Sequence, residues 1–228
     1  MAEKIRVTVL GDGGWGTALA LVNLRRGNEV MMWSAFADYA GVLQEERENV
    51  KFLPGVKLPR DLRITSSLKE AVDFGDVLML AIPSQYLRNI IFKIKEFSYR
   101  GKILVSTAKG IEKKTCLRPS EIIRSVLGKD LPIVVLSGPS HAEEVARKIP
   151  TLTVAASDNL KHAQYIQEHF RDPHFRIYVQ KDLTGVEFGG ALKNVIAIAA
   201  GVCDASSSGT IPNPVLLHED STRSSGSE

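Results

Sequence analysis

Short apolar segments alternate with longer segments of mixed polarity along most of this 228-residue chain. The apolar segments predict strands, and the segments between them predict helices. The predicted strands are residues 5–10, 29–33, 62–65, 77–82, 102–106, 133–137, 151–155 and 175–179. The predicted helices are residues 17–26, 39–47, 67–72, 86–97, 119–127, 142–148, 161–170 and 186–200. This alternation is typical of an α/β fold in which helices cover both faces of a parallel sheet.

A glycine-rich turn with the sequence GDGGWG, residues 11–16, follows the first predicted strand. We expect Gly11 to allow the tight turn, Gly13 to let phosphates approach the backbone, and Gly16 to let the next helix pack closely. Backbone N–H groups and a helix dipole then point at one place, where a dinucleotide pyrophosphate binds. The order of strand, turn, helix and second strand predicts a doubly wound, mostly parallel sheet of the Rossmann type. A structural turn without a ligand is the alternative.

Composition and charge narrow the class of protein. Charged residues make up 24% of the chain and the net charge is +3, with no run of like charges that would indicate nucleic-acid binding. Cys116 and Cys203 are far apart, which argues against a metal site or a disulfide and suits a reducing cytoplasm. Charged residues lead directly into the first strand, so we expect no signal peptide. The longest apolar stretch, residues 195–202, is too short to predict a membrane span.

Polar residues follow the fourth, fifth and sixth predicted strands, at the edge of the sheet where ligands bind in such folds. These segments are residues 83–86, 107–110 and 138–142. Lys109 is the strongest candidate, because a lysine between a strand end and a glycine can place its ammonium on a phosphate or carbonyl oxygen. A solvated loop lysine is the alternative interpretation. Ser140 fits helix capping equally well.

The last predicted helix is apolar on nearly all sides, which is typical of a buried helix, and it carries Lys193 and Asn194 in its middle. Side chains on a helix lean toward its N-terminus, so both residues are expected to lie over a glycine pair that leaves space for a ligand. Burial disfavours the charged form of a lysine and lowers its pKa, which suits proton transfer. A salt bridge between Lys193 and Glu187, or a lysine that reaches solvent, is the alternative.

Six motifs in order give the chain a specific resemblance. They are residues 11–18, 49–55, 83–85, 108–110, 137–140 and 189–195. Together they closely resemble the NAD(P)-dependent glycerol-3-phosphate dehydrogenases over about residues 4–204. The resemblance implies a Rossmann domain followed by a helical domain. It also implies interconversion of sn-glycerol 3-phosphate and dihydroxyacetone phosphate, which supplies glycerol 3-phosphate for phospholipid synthesis.

The resemblance also implies a role for individual residues. Lys193 matches the lysine that transfers a proton at the C2 hydroxyl, and Asn194 matches the asparagine beside it. Lys109 matches a lysine that contacts both substrate and cofactor. Gly138 and Ser140 match positions that touch the substrate, a small phosphorylated molecule. No metal is implied, and a homodimer is compatible with the resemblance.

The implied cofactor is NAD or NADP. The residues that the resemblance places against it are Gly11, Gly13, Gly14, Trp15, Gly16, Ala35, Phe36, Tyr86, Lys109 and Ala142. The segment after the second strand has neither an acid for the ribose 2′-hydroxyl nor an arginine for a 2′-phosphate, so the preference stays open. Asp38 is slightly later and is either a ribose contact or an ordinary acid in the first turn of a helix. Phe36 is either an adenine contact or a core residue.

The resemblance divides the chain into a Rossmann domain at 1–185, the first helix of a helical domain at 186–204, and a tail at 205–228. We expect the tail to be flexible, because it is rich in Ser, Thr, Gly and Pro. The resemblance ends near residue 204, so we expect the rest of the family's helical domain to be missing from this sequence. A nucleotide-binding module without turnover is therefore the alternative function, and a dehydrogenase for another phosphorylated or acidic hydroxy compound is a third. A final helix without its partners would also expose an apolar patch and favour self-association.

Overall fold

The structure, a computed structural model, describes residues 3–205. The strands are β1 (Arg6–Leu10), β2 (Glu29–Trp33), β3 (Glu48–Asn49), β4 (Leu53–Lys57), β5 (Arg63–Thr65), β6 (Val77–Leu80), β7 (Ile103–Ser106), β8 (Ile133–Ser137), β9 (Thr151–Ala156) and β10 (Phe175–Gln180). The helices are α1 (Gly14–Arg26), α2 (Ala37–Glu46), α3 (Leu68–Phe74), α4 (Ser84–Ile94), α5 (Pro119–Leu127), α6 (Ala142–Ala146), α7 (Leu160–Phe170) and α8 (Leu183–Ala205). All eight predicted strands and all eight predicted helices are present.

Eight strands form one sheet in the order β10-β9-β8-β7-β6-β1-β2-β5. The neighbours run parallel except β8 and β9, which are antiparallel, so the predicted mostly parallel sheet is confirmed. The chain passes from β1 to β2 on one side and later returns to place β6 on the other side of β1. Ligands bind at such a switch point, beyond the carboxyl ends of the strands. The glycine turn follows β1 and therefore lies at this point.

Each face of the sheet has its own apolar core. On β6, Val77 and Met79 belong to one core, while Leu78 and Leu80 belong to the other. Helices α1, α2 and α7 contribute to the first core, and helices α3, α4 and α5 contribute to the second. Because successive side chains of a strand point to opposite faces, a strand covered on both sides is apolar throughout.

A two-stranded antiparallel hairpin, β3 and β4, is the part of the fold that the hydrophobic pattern did not predict. Strand β3 has only two residues, and β4 has Pro54 and Gly55 in its middle, both of which are depleted in strands. The hairpin is outside the main sheet, so alternation toward a core is weak there. Its position matters because it packs against the glycine turn.

The chain divides into two compact units, Met1–Gly190 and Ala191–Glu228. Helix α8 crosses the boundary, and only residues 191–205 of the second unit are described. The predicted domain limits at residues 185 and 204 stay predictions. The predicted tail at 205–228 lies outside the described residues, except for Ala205, which ends α8.

Helix α8 corrects our expectation of a buried helix. Only Leu183 and Glu187 are buried along it, whereas Ile196 is 64% exposed and Ile198 is 68% exposed. A helix that is apolar on all sides normally packs against other elements on every side, but among the described residues no such elements surround most of α8. The expectation of an exposed apolar patch is the one that the structure supports.

Helix α8 is also long and apolar enough to cross a membrane: it has 23 residues, and the mean hydropathy of its 18-residue test segment is 1.4. Our estimate from the longest apolar stretch did not detect this. One such helix is weak evidence, because core helices of soluble proteins have the same composition. Residues 183–190 belong to the first compact unit. The fifteen residues from 191 to 205 extend about 22 Å at 1.5 Å per residue. That length is less than the hydrocarbon thickness of about 30 Å.

Candidate active site

The glycine turn has the geometry that its sequence predicts. Gly11 has a φ of +122°, and a Cβ there would overlap the carbonyl oxygen of Ala81 at the end of β6. A Cβ on Gly16 would overlap the carbonyl oxygen of Gly11, so α1 packs directly on the turn. A Cβ on Gly13 would meet nothing within 4 Å, so the backbone there faces open space. Of these three glycines, Gly13, next to the helix N-terminus, is therefore the one that is open to a ligand.

Gly14 has a structural requirement that the sequence did not reveal. A Cβ at Gly14 would lie 2.5 Å from the carbonyl oxygen of Phe52 and 3.5 Å from the Cβ of Ala142. The hairpin and the start of α6 thus both press against the turn. Gly14 and Ala142, two of the expected cofactor contacts, are neighbours in the structure.

Asn49 holds the hairpin to the glycine turn. Its side chain is fully buried, and its Nδ2 donates to the carbonyl oxygen of Asp12 and to Oγ1 of Thr17, each at 2.7 Å. Its Oδ1 accepts from the Tyr39 hydroxyl at 2.6 Å and from the Phe52 N–H at 3.1 Å. Residue-by-residue reasoning gave Asn49 no role, because a polar residue in a loop-like segment carries no signal of burial.

Trp15 and Lys109 bring two of the predicted segments together. The Nζ atom of Lys109 lies 5.7 Å from the centre of the Trp15 ring, within range of a cation–π interaction. The turn after β1 and the loop after β7 therefore meet. The Nε1 atom of Trp15 is buried and has no hydrogen-bond partner among residues 3–205. A buried donor without a partner is costly, and an acceptor on a bound dinucleotide would satisfy it.

The loop that carries Lys109 is held on α4. Arg88 donates from Nε and Nη2 to the two carboxylate oxygens of Glu112, at 2.9 and 2.8 Å. This guanidinium and the Thr115 hydroxyl lower the pKa of Glu112 to about 2. Gln85, at the start of α4, donates to the carbonyl oxygen of Ile111 at 2.8 Å. These bonds fix the backbone on the C-terminal side of Lys109.

Other predicted residues lie after parallel strands of the same sheet. Tyr86 is in the first turn of α4 and is 65% exposed. Ala35 and Phe36 follow β2, and Phe36 is 72% exposed, so its alternative interpretation as a core residue is wrong.

Gly138 and Ser140 follow β8. A Cβ on Gly138 would lie 2.8 Å from the carbonyl oxygen of Leu152, which favours glycine there. Ser140 is buried, and its hydroxyl donates to the Gly138 carbonyl at 3.3 Å rather than capping α6.

Lys193 and Asn194 lie on α8 in the second compact unit, whereas the other predicted site residues belong to the first. Lys193 is half-buried and Asn194 is exposed, so the expected full burial of these two side chains is wrong for the described residues. The alternative salt bridge between Lys193 and Glu187 is also wrong. Arg118 donates to the Glu187 carboxylate at 2.7 Å, and Ser120 donates from its N–H and its hydroxyl at 2.8 and 2.7 Å.

Burial raises the pKa of the Glu187 carboxyl, and the bonds from Ser120 and Arg118 oppose that rise. The same guanidinium lies 5.8 Å from the Phe188 ring. These contacts anchor the first turns of α8 on the start of α5, within the first compact unit. Sequence reasoning considered Glu187 only as a partner for Lys193, because Arg118, the N-cap of α5, is 69 residues away in the chain.

Comparison with known proteins gives the family. The model for the N-terminus of NAD-dependent glycerol-3-phosphate dehydrogenase matches residues 6–163, and the model for its C-terminus matches residues 182–217. The chain belongs to the NAD-dependent glycerol-3-phosphate dehydrogenase family. The C-terminal match extends past residue 204, where we had placed the end of the resemblance.

Individual relatives agree with this assignment. The chain is 43% identical over 214 residues to a glycerol-3-phosphate dehydrogenase [NAD(P)+] from Fusobacterium nucleatum, covering 93% of this chain and 64% of the relative. The similar protein from Bacillus subtilis is 44% identical, with coverages of 93% and 62%. The crystal structure of glycerol-3-phosphate dehydrogenase from Coxiella burnetii has a TM-score of 0.82 at 34% identity and covers 88% of this chain and 61% of that one. The chain thus spans less than two thirds of these relatives.

Proposed function

We propose that this chain carries the dinucleotide site and the catalytic lysines of a glycerol-3-phosphate dehydrogenase. The reaction is hydride transfer between sn-glycerol 3-phosphate and dihydroxyacetone phosphate, so the substrate is a small phosphorylated molecule. The observation that carries the proposal is the contact between Lys109 and Trp15, 5.7 Å from Nζ to ring centre. It places a cation beside the glycine turn of a chain that is 43% identical to a protein named for this activity.

The residues of the first unit fit NAD or NADP. Gly13 leaves its backbone open to an approaching phosphate, and the buried Nε1–H group of Trp15 has no hydrogen-bond acceptor among the described residues. Gly11, Gly14 and Gly16 keep the turn tight enough for α1 to point its N-terminus at the pyrophosphate. The dinucleotide, when bound, supplies the hydride acceptor or donor. Ala35, Phe36, Tyr86 and Ala142 are proposed as further contacts along it.

We propose that polar residues after the strands and on α8 bind the substrate and transfer its proton. Lys193 holds the proton at the C2 oxygen of the substrate and returns it, and Asn194 orients that oxygen. Lys109 places a positive charge where negative charge develops on oxygen or is already present on the phosphate. Gly138 and Ser140 contact the substrate, and the buried Ser140 hydroxyl is available by exchanging its bond to the Gly138 carbonyl.

Steady-state oxidation of NADH and NADPH by dihydroxyacetone phosphate, followed by nicotinamide absorbance, tests this function. We expect turnover that Lys193→Ala abolishes without weakening dinucleotide binding. Lys109→Ala is compared with Lys114→Ala, which removes an exposed lysine from the same loop. A loss confined to Lys109→Ala supports the assigned role, and an equal loss in both variants contradicts it. Dinucleotide binding without turnover would favour the alternative, a nucleotide-binding module.

We further propose that the protein acts in the cytoplasm and binds no nucleic acid. The chain has two cysteines, Cys116 and Cys203, and both are exposed, which suits a reducing compartment. The apolar side chains of α8 supply a surface for a homodimer. Those that are exposed are Phe188, Leu192, Val195, Ile196, Ile198 and Val202.

A further inference from the structure

The side chain of Asp12 reaches from the glycine turn to the end of the neighbouring strand β2. Its Oδ2 accepts a hydrogen bond from the hydroxyl of Ser34 at 2.5 Å. Ser34 is the residue directly after β2 and is fully buried. The carboxylate is therefore held at the carboxyl end of β2 by a fixed partner, although it belongs to the turn after β1.

In a Rossmann fold, residues at the end of the second strand bind the adenosine ribose and distinguish NAD from NADP. An acid there accepts a hydrogen bond from the 2′-hydroxyl of NAD, whereas an arginine there binds the 2′-phosphate of NADP. Residues 34–37 of this chain are Ser, Ala, Phe and Ala, and none of them carries a charge. The charge missing from this segment is supplied by Asp12 from the adjacent turn.

We propose that Asp12 makes this protein select NAD(H) over NADP(H). The proposal rests on the dinucleotide site of the proposed function, and it names the cofactor preference of that site. A carboxylate has several acceptor positions, so the bond from Ser34 leaves capacity for a ribose hydroxyl. A 2′-phosphate carries a charge of about −1.5 to −2 and would be repelled by the same carboxylate.

The surroundings of Asp12 contain one candidate for the opposite preference. The Nζ atom of Lys51 lies 5.0 Å from the ring centre of Phe52, in the hairpin, and 5.9 Å from the ring centre of Tyr39, on α2. Burial raises the pKa of the Tyr39 hydroxyl, and the charge of Asp12 adds to that rise. The negative charge of Asp12 thus acts on this region, and a 2′-phosphate would have to be held by Lys51 against it.

The test is equilibrium binding of NADH and NADPH to the full 228-residue chain, measured by fluorescence of the bound nucleotide. We expect NADH to bind about tenfold more tightly than NADPH, as repulsion between close charges at a partly exposed site would give. Asp12→Asn removes the charge at constant shape and can still accept from Ser34, so it should fold and bring the two dissociation constants within about threefold. Asp12→Glu keeps the charge and should keep the preference.

Two further variants make the test specific. Glu45→Gln removes an exposed acid from α2 and controls for net charge, so the preference should not change. Asp38→Asn tests the other acid near this segment, in the first turn of α2. A loss of preference in Asp38→Asn and not in Asp12→Asn would overturn the assignment to Asp12.

Tighter binding of NADPH by the unmodified protein, lost in Lys51→Gln, would overturn the inference in favour of Lys51. Equal binding of both dinucleotides would overturn the inference and leave the proposed reaction intact. Binding of neither would overturn both. Thermal unfolding of each variant shows whether a change in binding reflects a change in fold.

Discussion

The ion pair between Arg88 and Glu112 gives a quantitative prediction about the loop that carries Lys109. The Glu112 side chain is only 10% exposed, and the two oxygens of its carboxylate accept from the guanidinium at 2.9 and 2.8 Å. Its pKa falls from 4.5 to about 2. The difference of about 2.5 between these two pKa values corresponds to about 3 kcal/mol, since a tenfold change in an equilibrium constant is about 1.4 kcal/mol. We therefore expect Glu112→Gln to lower the free energy of unfolding by about 2 to 3 kcal/mol at neutral pH.

The sign of the pH dependence follows from the direction of the shift. A carboxyl whose pKa is lowered by folding stabilises the protein above its unfolded pKa and loses that contribution as pH falls toward the folded value. With values of 4.5 and about 2, the contribution should be complete at pH 7 and smaller by about 1 kcal/mol at pH 4. The difference between wild type and Glu112→Gln should narrow by that amount.

Urea unfolding of the full chain at pH 7, 5 and 4 measures this difference. Glu45→Gln, at an exposed position on α2, is the control for loss of one negative charge. We expect the control to change stability by less than about 0.5 kcal/mol at each pH. If Glu112→Gln matches the control at pH 7, or if its difference from wild type is the same at pH 7 and pH 4, the reasoning about this ion pair is refuted.

Three further predictions concern the turn, the hairpin and α8. Gly16→Ala places a Cβ on the carbonyl oxygen of Gly11, so it should cost about 3 kcal/mol in urea unfolding and abolish NADH binding; normal binding would contradict the turn geometry. Asn49→Ala removes the four hydrogen bonds of a fully buried side chain and should cost about 2 to 4 kcal/mol, whereas a cost below about 1 kcal/mol would show that the hairpin does not depend on it. The exposed apolar side chains of α8 should cause self-association that Ile196→Lys with Ile198→Lys reduces in light scattering; a monomeric wild type would contradict this.

The hydrophobic pattern predicted the main sheet because most of its strands are buried on both faces. The apolar run of β6, for example, has its side chains divided between two cores. The pattern failed for the β3–β4 hairpin, because β3 is short, β4 contains Pro54 and Gly55, and only Leu53 of β4 is buried. Such a hairpin is set by tertiary contacts such as those of Asn49, which a local pattern does not contain.

The residues of the candidate site were predictable where local backbone geometry requires them. They were not predictable where a contact joins segments that are distant in the sequence. Gly11 and Gly16 are required by local backbone geometry, so their positions in the motif were informative. The charge at the end of β2 could not be found by inspecting residues 34–36, because it comes from Asp12 in another turn. The alternative that paired Glu187 with Lys193 failed for the same reason, since its partner Arg118 is distant in sequence.

The burial of α8 was inferred from composition alone, and this was the weakest step. Apolar residues on all sides of a helix indicate that the helix is stable when other elements bury it. They do not show that the described residues include those elements. The same composition makes α8 long and apolar enough for a membrane span, although part of it belongs to the first compact unit.

We propose above that this chain catalyses the interconversion of dihydroxyacetone phosphate and sn-glycerol 3-phosphate. The most direct measurement is the product formed when the 228-residue protein is incubated with dihydroxyacetone phosphate and NADH, identified as a glycerol phosphate by phosphorus and carbon NMR and as the sn-3 enantiomer by a stereospecific enzymatic assay. We expect sn-glycerol 3-phosphate as the product, in equal amount to the NADH that is oxidised, and no product with Lys193→Ala. A protein that binds NADH and yields no sn-glycerol 3-phosphate would contradict it.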